Sequence, residues 1–438
     1  MKKITILVGG ILFGFSGYAL ADNGNNTDNS DVQQQIQQLK KEINQLKSNS
    51  VDNDMSSRKK VNTDVLSAVH IDTDAPFAKY SSSRLPFSIL QSRNKYGDNS
   101  LTFGGYIESD VTGWNGDQLS TVGGGSYDNG WDLSINEASL YTVANIGHYI
   151  QAAVTLTGSS YASPEVRDAY VTFGNLDSFP IYLTVGKNRL SFGRFADGGP
   201  WIGGLTQAMF RPGHDTVSAN LGASFGSIET NDYNLNLNLA VFQTDQSNNN
   251  KANFMTSAFF DFDNKKVNFG GSLGYIYNWI GTGMGGAVTA GAGNVVTEDR
   301  NGIINAEAYF GIDNIFTLSS GWSGSTNRED YSGDGYFGAW YVQGDIPLPV
   351  HEGKILQGLN LGAGYQQAYN TENLPFALPG DESNNGGPMV LGVEKEYLTY
   401  LSAPVFSKNN LVSLEYGYLT LYNGQHTSEV TLDISTYF

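Results

Sequence analysis

From Leu101 to the last residue the chain is written in short segments of strict two-residue alternation. Tyr233, Leu235, Leu237, Leu239 and Val241 alternate with Asn234, Asn236, Asn238 and Ala240. Val267, Phe269, Leu273, Tyr275 and Tyr277 share one face against Asn268, Gly270, Ser272 and Gly274. Ile150–Leu156, Ala169–Phe173 and Leu359–Tyr365 repeat the pattern. Period two with a single apolar face marks a strand between two different environments. The second face carries Asn, Thr, Ser, Gly and Asp, so it is not a second core. A transmembrane barrel, apolar toward lipid and polar toward a water-filled interior, has this alternation.

About sixteen such segments are legible, from 101–114 through a fifth at 181–191 to 394–403, 411–421 and 429–438. Their connections alternate in length. Asn145–His148, Asn175–Pro180 and Asn264–Lys266 are short; Gly193–Asp215, Gly281–Asn301 and Asn370–Glu394 are long. Short periplasmic turns and long outer loops are the expected asymmetry. The last strand sets Val430, Leu432, Ile434, Thr436 and Phe438 against Thr431, Asp433, Ser435 and Tyr437, and ends on an aromatic. The expected fold is therefore all-β, a transmembrane antiparallel β-barrel of about 16 strands over 101–438.

Composition agrees. The 438 residues include 53 Gly, 25 Tyr and 23 Phe, and mean hydropathy is −0.28, too polar for a helical membrane bundle. There is no Cys, which excludes a disulfide scaffold and thiolate metal sites. Asp and Glu number 43 against 25 Lys and Arg, net −18, which argues against nucleic acid as a partner.

The region ahead of the barrel reads as three pieces. Met1-Lys2-Lys3, an apolar Ile4–Phe15 and the box Ala19-Leu20-Ala21 form a secretory signal peptide over 1–21. Its removal takes the net charge to −20. Residues 22–50 are a periplasmic tail in which Val32, Ile36, Leu39, Ile43 and Leu46 make a heptad seam of about two heptads. It reads equally as a homo-oligomerisation segment or as a solvated amphipathic helix. Residues 51–100 read as a polar connector.

Chemical motifs fail on context. Gly270-Gly271-Ser272-Leu273-Gly274 fits G-x-S-x-G, but lies mid-strand with no helix after it. Gly281–Gly286 fits G-x-G-x-x-G, again without a helix. The run Asp330–Gly335 resembles a calcium loop, but Tyr341 stands where the bidentate Glu belongs. His70, His148, His214, His351 and His426 show no ligand spacing. No catalytic residue, metal ligand or cofactor is expected.

The candidate pore residues are charges near one long connection: Asp168, Lys187, Arg189, Arg194 and Arg211. The loop Gly193–Asp215, which also carries Asp197 and Trp201, resembles in place the third outer loop of porins, and that resemblance implies that it folds inward and narrows the pore. A cationic cluster in a narrow channel favours anionic solutes.

Val166–Gly174 and Leu183–Gly193 look like the paired strands of porin-type barrels. The layout of signal peptide, Gln/Lys coiled-coil segment, connector and sixteen-strand barrel resembles the legiobactin-receptor (LbtU) family of siderophore porins. That resemblance implies an outer-membrane location in contact with lipid and lipopolysaccharide. It further implies uptake of a ferric siderophore, of the polycarboxylate type, without a TonB plug. Resemblance to outer-membrane barrels also implies that Phe438 is read by the insertion machinery. A plugged transporter needs about 22 strands and a globular plug, whereas 79 polar residues, Asp22–Ser100, precede this barrel. The assignment of Lys187, Arg189, Arg194 and Arg211 to a carboxylate-rich solute comes from charge and position, since Arg binds carboxylate bidentately. A diffusion porin for other solutes and a structural or adhesive barrel stand as alternatives.

Overall fold

A computed structural model describes residues 84–93, 98–122, 124–214, 216–243, 253–264, 266–282, 301–328, 335–348, 358–379, 388–407 and 409–438, all within the second of the chain's two units, Val61–Phe438. The expected signal peptide, the coiled-coil tail, the connector up to 83, most of the Gly281–Gly286 run and the loop Asp330–Asp334 lie outside the described residues.

The strands in chain order are β1 (Asn99–Gly116), the hairpin β2 (Leu119–Ser120) and β3 (Ser126–Tyr127), β4 (Gly130–Ile146), β5 (Ile150–Gly158), β6 (Glu165–Phe173), β7 (Ile181–Lys187), β8 (Val217–Phe225), β9 (Tyr233–Gln243) and β10 (Asn253–Asp263). They continue with β11 (Val267–Ile276), β12 (Ile303–Ile312), β13 (Phe316–Ser325), β14 (Gly338–Pro347), β15 (Asn360–Tyr369), the hairpin β16 (Pro375–Ala377) and β17 (Met389–Leu391), β18 (Val393–Pro404), β19 (Asn410–Leu421) and β20 (His426–Tyr437). Without the two hairpins, sixteen strands close an antiparallel barrel through β1 and β20. The closing ladder runs from Tyr106↔Tyr437 to Gly116↔Thr427. It extends to the terminal residue, where Gly105 N donates to Phe438 O at 2.7 Å and Phe438 N to Gly105 O at 3.1 Å. The Phe438 ring covers Gly105, where a Cβ would come within 2.3 Å of it.

Alternation sets the two faces. On β9, Leu237, Leu239 and Val241 are exposed outward, while Asn234, Asn236 and Asn238 are buried inward. The same split on the other strands gives an exposed apolar wall that only lipid can cover at low cost. The inward polar residues bond one another: Asn238 Nδ2 donates to Asn236 Oδ1 at 2.8 Å, and Tyr182 Oη to Asn238 Oδ1 at 2.9 Å.

Such residues are buried because two segments of the chain fill the lumen, which is not the water-filled interior expected. The first is a helix, Leu85–Gln91, within the stretch read as connector. It opens with proline in its first turn, a favoured place for a residue without an N–H. Leu85, Phe87, Ile89 and Leu90 are buried, each worth about 1.5–3 kcal/mol of transfer free energy. The second is the connection from β7 to β8, the third of the long-loop end, which folds inward as expected and carries a helix at Leu205–Phe210. Its Leu190, Phe192, Leu205 and Phe210 join Phe242, Trp279, Phe337, Phe376 and Leu421 in one apolar cluster. Phe210 sits 5.8 Å from Trp279 and 5.9 Å from Phe337 between ring centroids.

The fifth strand stops at Lys187 rather than 191. Gly186 has φ 142, a conformation that disfavours side chains, and a Cβ there would lie 2.3 Å from Ala169 O. The chain turns off the wall at this point and Arg189 falls in the loop.

Candidate functional site

The inward loop is fastened by side chains of the opposite wall to its own backbone N–H groups. Glu307 on β12 accepts from Arg194 N at 2.7 Å and from Phe195 N at 2.8 Å. Gln343 on β14 accepts from Gly198 N at 3.0 Å and donates back to Gly198 O at 2.9 Å. Gln366 on β15 accepts from Leu205 N at 2.5 Å. Glu415 on β19 accepts from Trp201 N at 2.7 Å and Ile202 N at 2.8 Å. Glycines permit this closeness: a Cβ at Gly199 would come within 2.3 Å of Glu415 Oε2. Within the loop, Asp197 accepts from Thr206 N at 2.8 Å and Gln207 N at 3.1 Å. Burial raises the Asp197 carboxyl above its usual range despite these bonds.

On the other side the loop reaches β6. Here a bulge sets Thr155 opposite Asp168 and Leu156 opposite Val166, leaving Arg167 as the extra residue. Arg167 and Asp168 are therefore both buried on the lumen side. Arg167 pairs with Glu137 on β4, and its Nε lies 3.3 Å from Asp168 Oδ2. His214 Nδ1, from the end of the loop, lies 2.8 Å from Asp168 Oδ1. Glu108, Asp110 and Asp433, on β1 and β20, are also buried on the inner wall. The arc β20–β1–β4–β5–β6 thus carries acids and Arg167, faced by Arg189 and Arg211 of the loop.

Arg189 stands beside this group. Its Nε and Nη1 are buried without a hydrogen-bond partner among the described residues. Burial, then the neighbouring Arg211 and Arg167, push its pKa well down, against the pull of Asp168 and Glu137. Asp168, Arg189 and Arg211 are thus brought together, with Arg167 and His214 added.

Two other expected residues go elsewhere. Lys187 shares the outward parity of Ile181, Leu183 and Val185, and its Nζ donates to Val166 O at 2.8 Å. Arg194 points to β10, where it pairs with Asp261 and lies 5.0 Å over the Tyr309 ring. Arg84, just before the Leu85–Gln91 helix, takes the other Asp261 oxygen at 2.9 Å. Ser272, from the failed G-x-S-x-G run, lies in β11 and donates to Glu307 at 3.2 Å.

His214 makes one prediction. Burial and then Arg189 lower its pKa to about 4, against the opposing pull of Asp168. Between pH 6.5 and about 4 the unfolded chain takes up a proton that the folded one refuses, so stability falls as pH falls through that window. His214→Gln is expected to flatten this loss, read as the difference in melting temperature between pH 7 and pH 5.

A closed sixteen-strand barrel with a long loop folded into its lumen is a porin-like β-barrel. OprB of Pseudomonas putida shares the fold with a TM-score of 0.52 at 10% identity, over 81% of this chain and 97% of that one. An anion-selective porin from Comamonas acidovorans aligns with a TM-score of 0.48 at 12% identity, over 78% of this chain and 100% of that one. The outer membrane channel DcaP of Acinetobacter baumannii gives 0.45 at 11% identity, over 77% and 97%. A family model described as "Protein of unknown function (DUF3573)" matches residues 65–299, and the chain belongs to that family. Comparison with curated proteins gives no match.

Proposed function

We propose that this protein is an outer-membrane channel selective for an anionic, carboxylate-bearing solute. A ferric siderophore of the polycarboxylate type is the solute that the legiobactin-receptor resemblance implies. Arg189 carries the reading. A half-buried guanidinium whose Nε and Nη1 are buried and unbonded among the described residues, beside Arg167 and Arg211, suits a carboxylate that takes its fork bidentately. The filled lumen speaks against a wide, unselective porin. On this reading the chain is exported by its signal peptide and inserted through its Phe438 end. It sits among lipid and lipopolysaccharide, and the heptad seam joins copies into a homo-oligomer. A structural or adhesive barrel is the second reading, favoured by the apolar cluster that caps the loop end around Leu119, Phe376 and Leu421.

The test is radioiron uptake from the loaded native siderophore in a deletion strain carrying wild-type or variant genes, with an unchelated iron salt as control. A charge-assisted bond is worth about 1.5–3 kcal/mol, so Arg189→Gln is expected to cut chelate uptake about 10- to 100-fold. Arg189→Glu should cut it further, with the control unchanged. Full uptake by Arg189→Glu would remove the anion reading, and equal uptake with and without the gene would favour the structural barrel.

A further inference from the structure

The end of the barrel that holds the short turns contains a piece of the chain's own N-terminal region. Leu85 and Ile89 pack with Tyr106, Tyr141, Tyr170 and Tyr437, inward residues of β1, β4, β6 and β20. Phe87 and Leu90 pack on Tyr182 of β7, with the Phe87 and Tyr182 rings stacked at 5.8 Å. Both ends of the segment are tied. Arg84 is held by Asp261 near the end of β10, at 2.9 Å. Arg93 donates to Ile150 O at 3.2 Å and to Gly147 O in the β4–β5 turn. The anchors on β10 and β5 are five strands apart around the ring, so the segment crosses the lumen as a chord.

Its position matters. Among the described residues, the inward loop is fastened to β12, β14, β15 and β19, and meets the β20–β1–β4–β5–β6 arc at Asp168. The helix sits on the turn end of that same arc, below the side of the lumen that the loop grips least. A seven-residue helix without a side-chain cap at its N-terminus does not hold itself together in water. Its order depends on its seat, which makes it a two-state element.

We propose that Leu85–Gln91 is an intramolecular plug that closes the channel. Asp261, shared by Arg84 of the plug and Arg194 of the inward loop, couples release of one to movement of the other. The proposal rests on the channel reading and not on the solute.

The absence of Cys makes a single introduced thiol an unambiguous reporter. Full-length Ile89→Cys is purified with and without Phe87→Glu plus Leu90→Glu, and folded barrel is verified by its mobility on unheated gels. Maleimide labelling and planar-bilayer conductance are then measured on the same samples. The glutamates are expected to raise labelling rate and open-channel probability together, each at least about tenfold over Ile89→Cys alone, as for a desolvated carboxylate forced from an apolar seat. Faster labelling with unchanged conductance would overturn the plug, and so would no change in either. Arg84→Gln with Ile89→Cys gives the same readout if the double glutamate does not assemble. Arg84→Gln should also speed labelling of Ala208→Cys on the inward loop; an unchanged rate there would overturn the coupling.

Discussion

Asp261→Ala is expected to lower the stability of the barrel by about 3–5 kcal/mol, the usual result of removing one partner from a buried ion pair. The carboxylate lies between two guanidiniums, Arg84 at 2.9 Å and Arg194 on the other oxygen, and Tyr309 Oη donates to it at 2.8 Å. Both arginines also lie over the Phe259 ring, at 4.8 and 5.8 Å. Without Asp261 the two cations face each other in a site where water is largely excluded. Asp261→Asn keeps a carbonyl acceptor for one of them and should cost less. Asp261→Leu combined with Arg84→Met and Arg194→Met should recover much of the loss, because an apolar set removes the desolvation penalty along with the attraction. The measurement is the temperature at which the folded barrel converts to the slow-migrating form on gels. Arg189→Gln is the contrast. It removes a charge that makes no ion pair among the described residues, so stability should hold or rise while uptake falls. An equal loss of stability in Arg189→Gln and Asp261→Ala would merge the two arginines into one structural role.

That contrast was only half visible in the sequence. Alternation gave the barrel strands to within three residues at each end, the fifth strand's end at Lys187 excepted, because one face of each must meet lipid and the other must not. The same rule placed Lys187 outside: Ile181, Leu183 and Val185 precede it on the lipid-facing parity. Grouping it with Arg189 by charge overrode that parity. Arg167 could not be found this way, since a bulge turns it inward beside Asp168 and breaks the period where it matters. Arg194 and Arg189 look alike in the sequence, five residues apart; what separates them is Asp261, 67 residues further on. The plug helix had a local signal, Leu85-Pro86-Phe87 followed by Ile89-Leu90, an apolar run in polar surroundings. Its place in the lumen depends on tyrosines from five strands, which no local pattern brings together.

The loop itself should give way at Glu307. Glu307→Leu leaves the N–H groups of Arg194 and Phe195 without their acceptor, at about 1–3 kcal/mol for each buried donor. Asn305 Nδ2 and Ser272 Oγ, at 3.2 Å each, lose the same carboxylate. Phe195 also holds φ 51, a left-handed conformation costing roughly 1–3 kcal/mol, which the Glu307 bond helps to impose. These costs fall on the loop rather than on the barrel wall. The β11–β12 and β12–β13 ladders through this position are backbone bonds that a leucine leaves in place. The expected result is a folded barrel whose inward loop detaches around Arg194. Tryptic cleavage after Arg194 should rise at least about tenfold, and single-channel conductance should rise with it. Glu307→Gln retains one acceptor and should fall between. Glu415→Leu frees the loop at Trp201 and Ile202 instead, with Glu307 still gripping Arg194. Conductance should then rise without faster cleavage at Arg194. If Glu307→Leu unfolds the barrel outright, the wall depends on the loop for its stability and the loop is part of the core rather than a movable constriction.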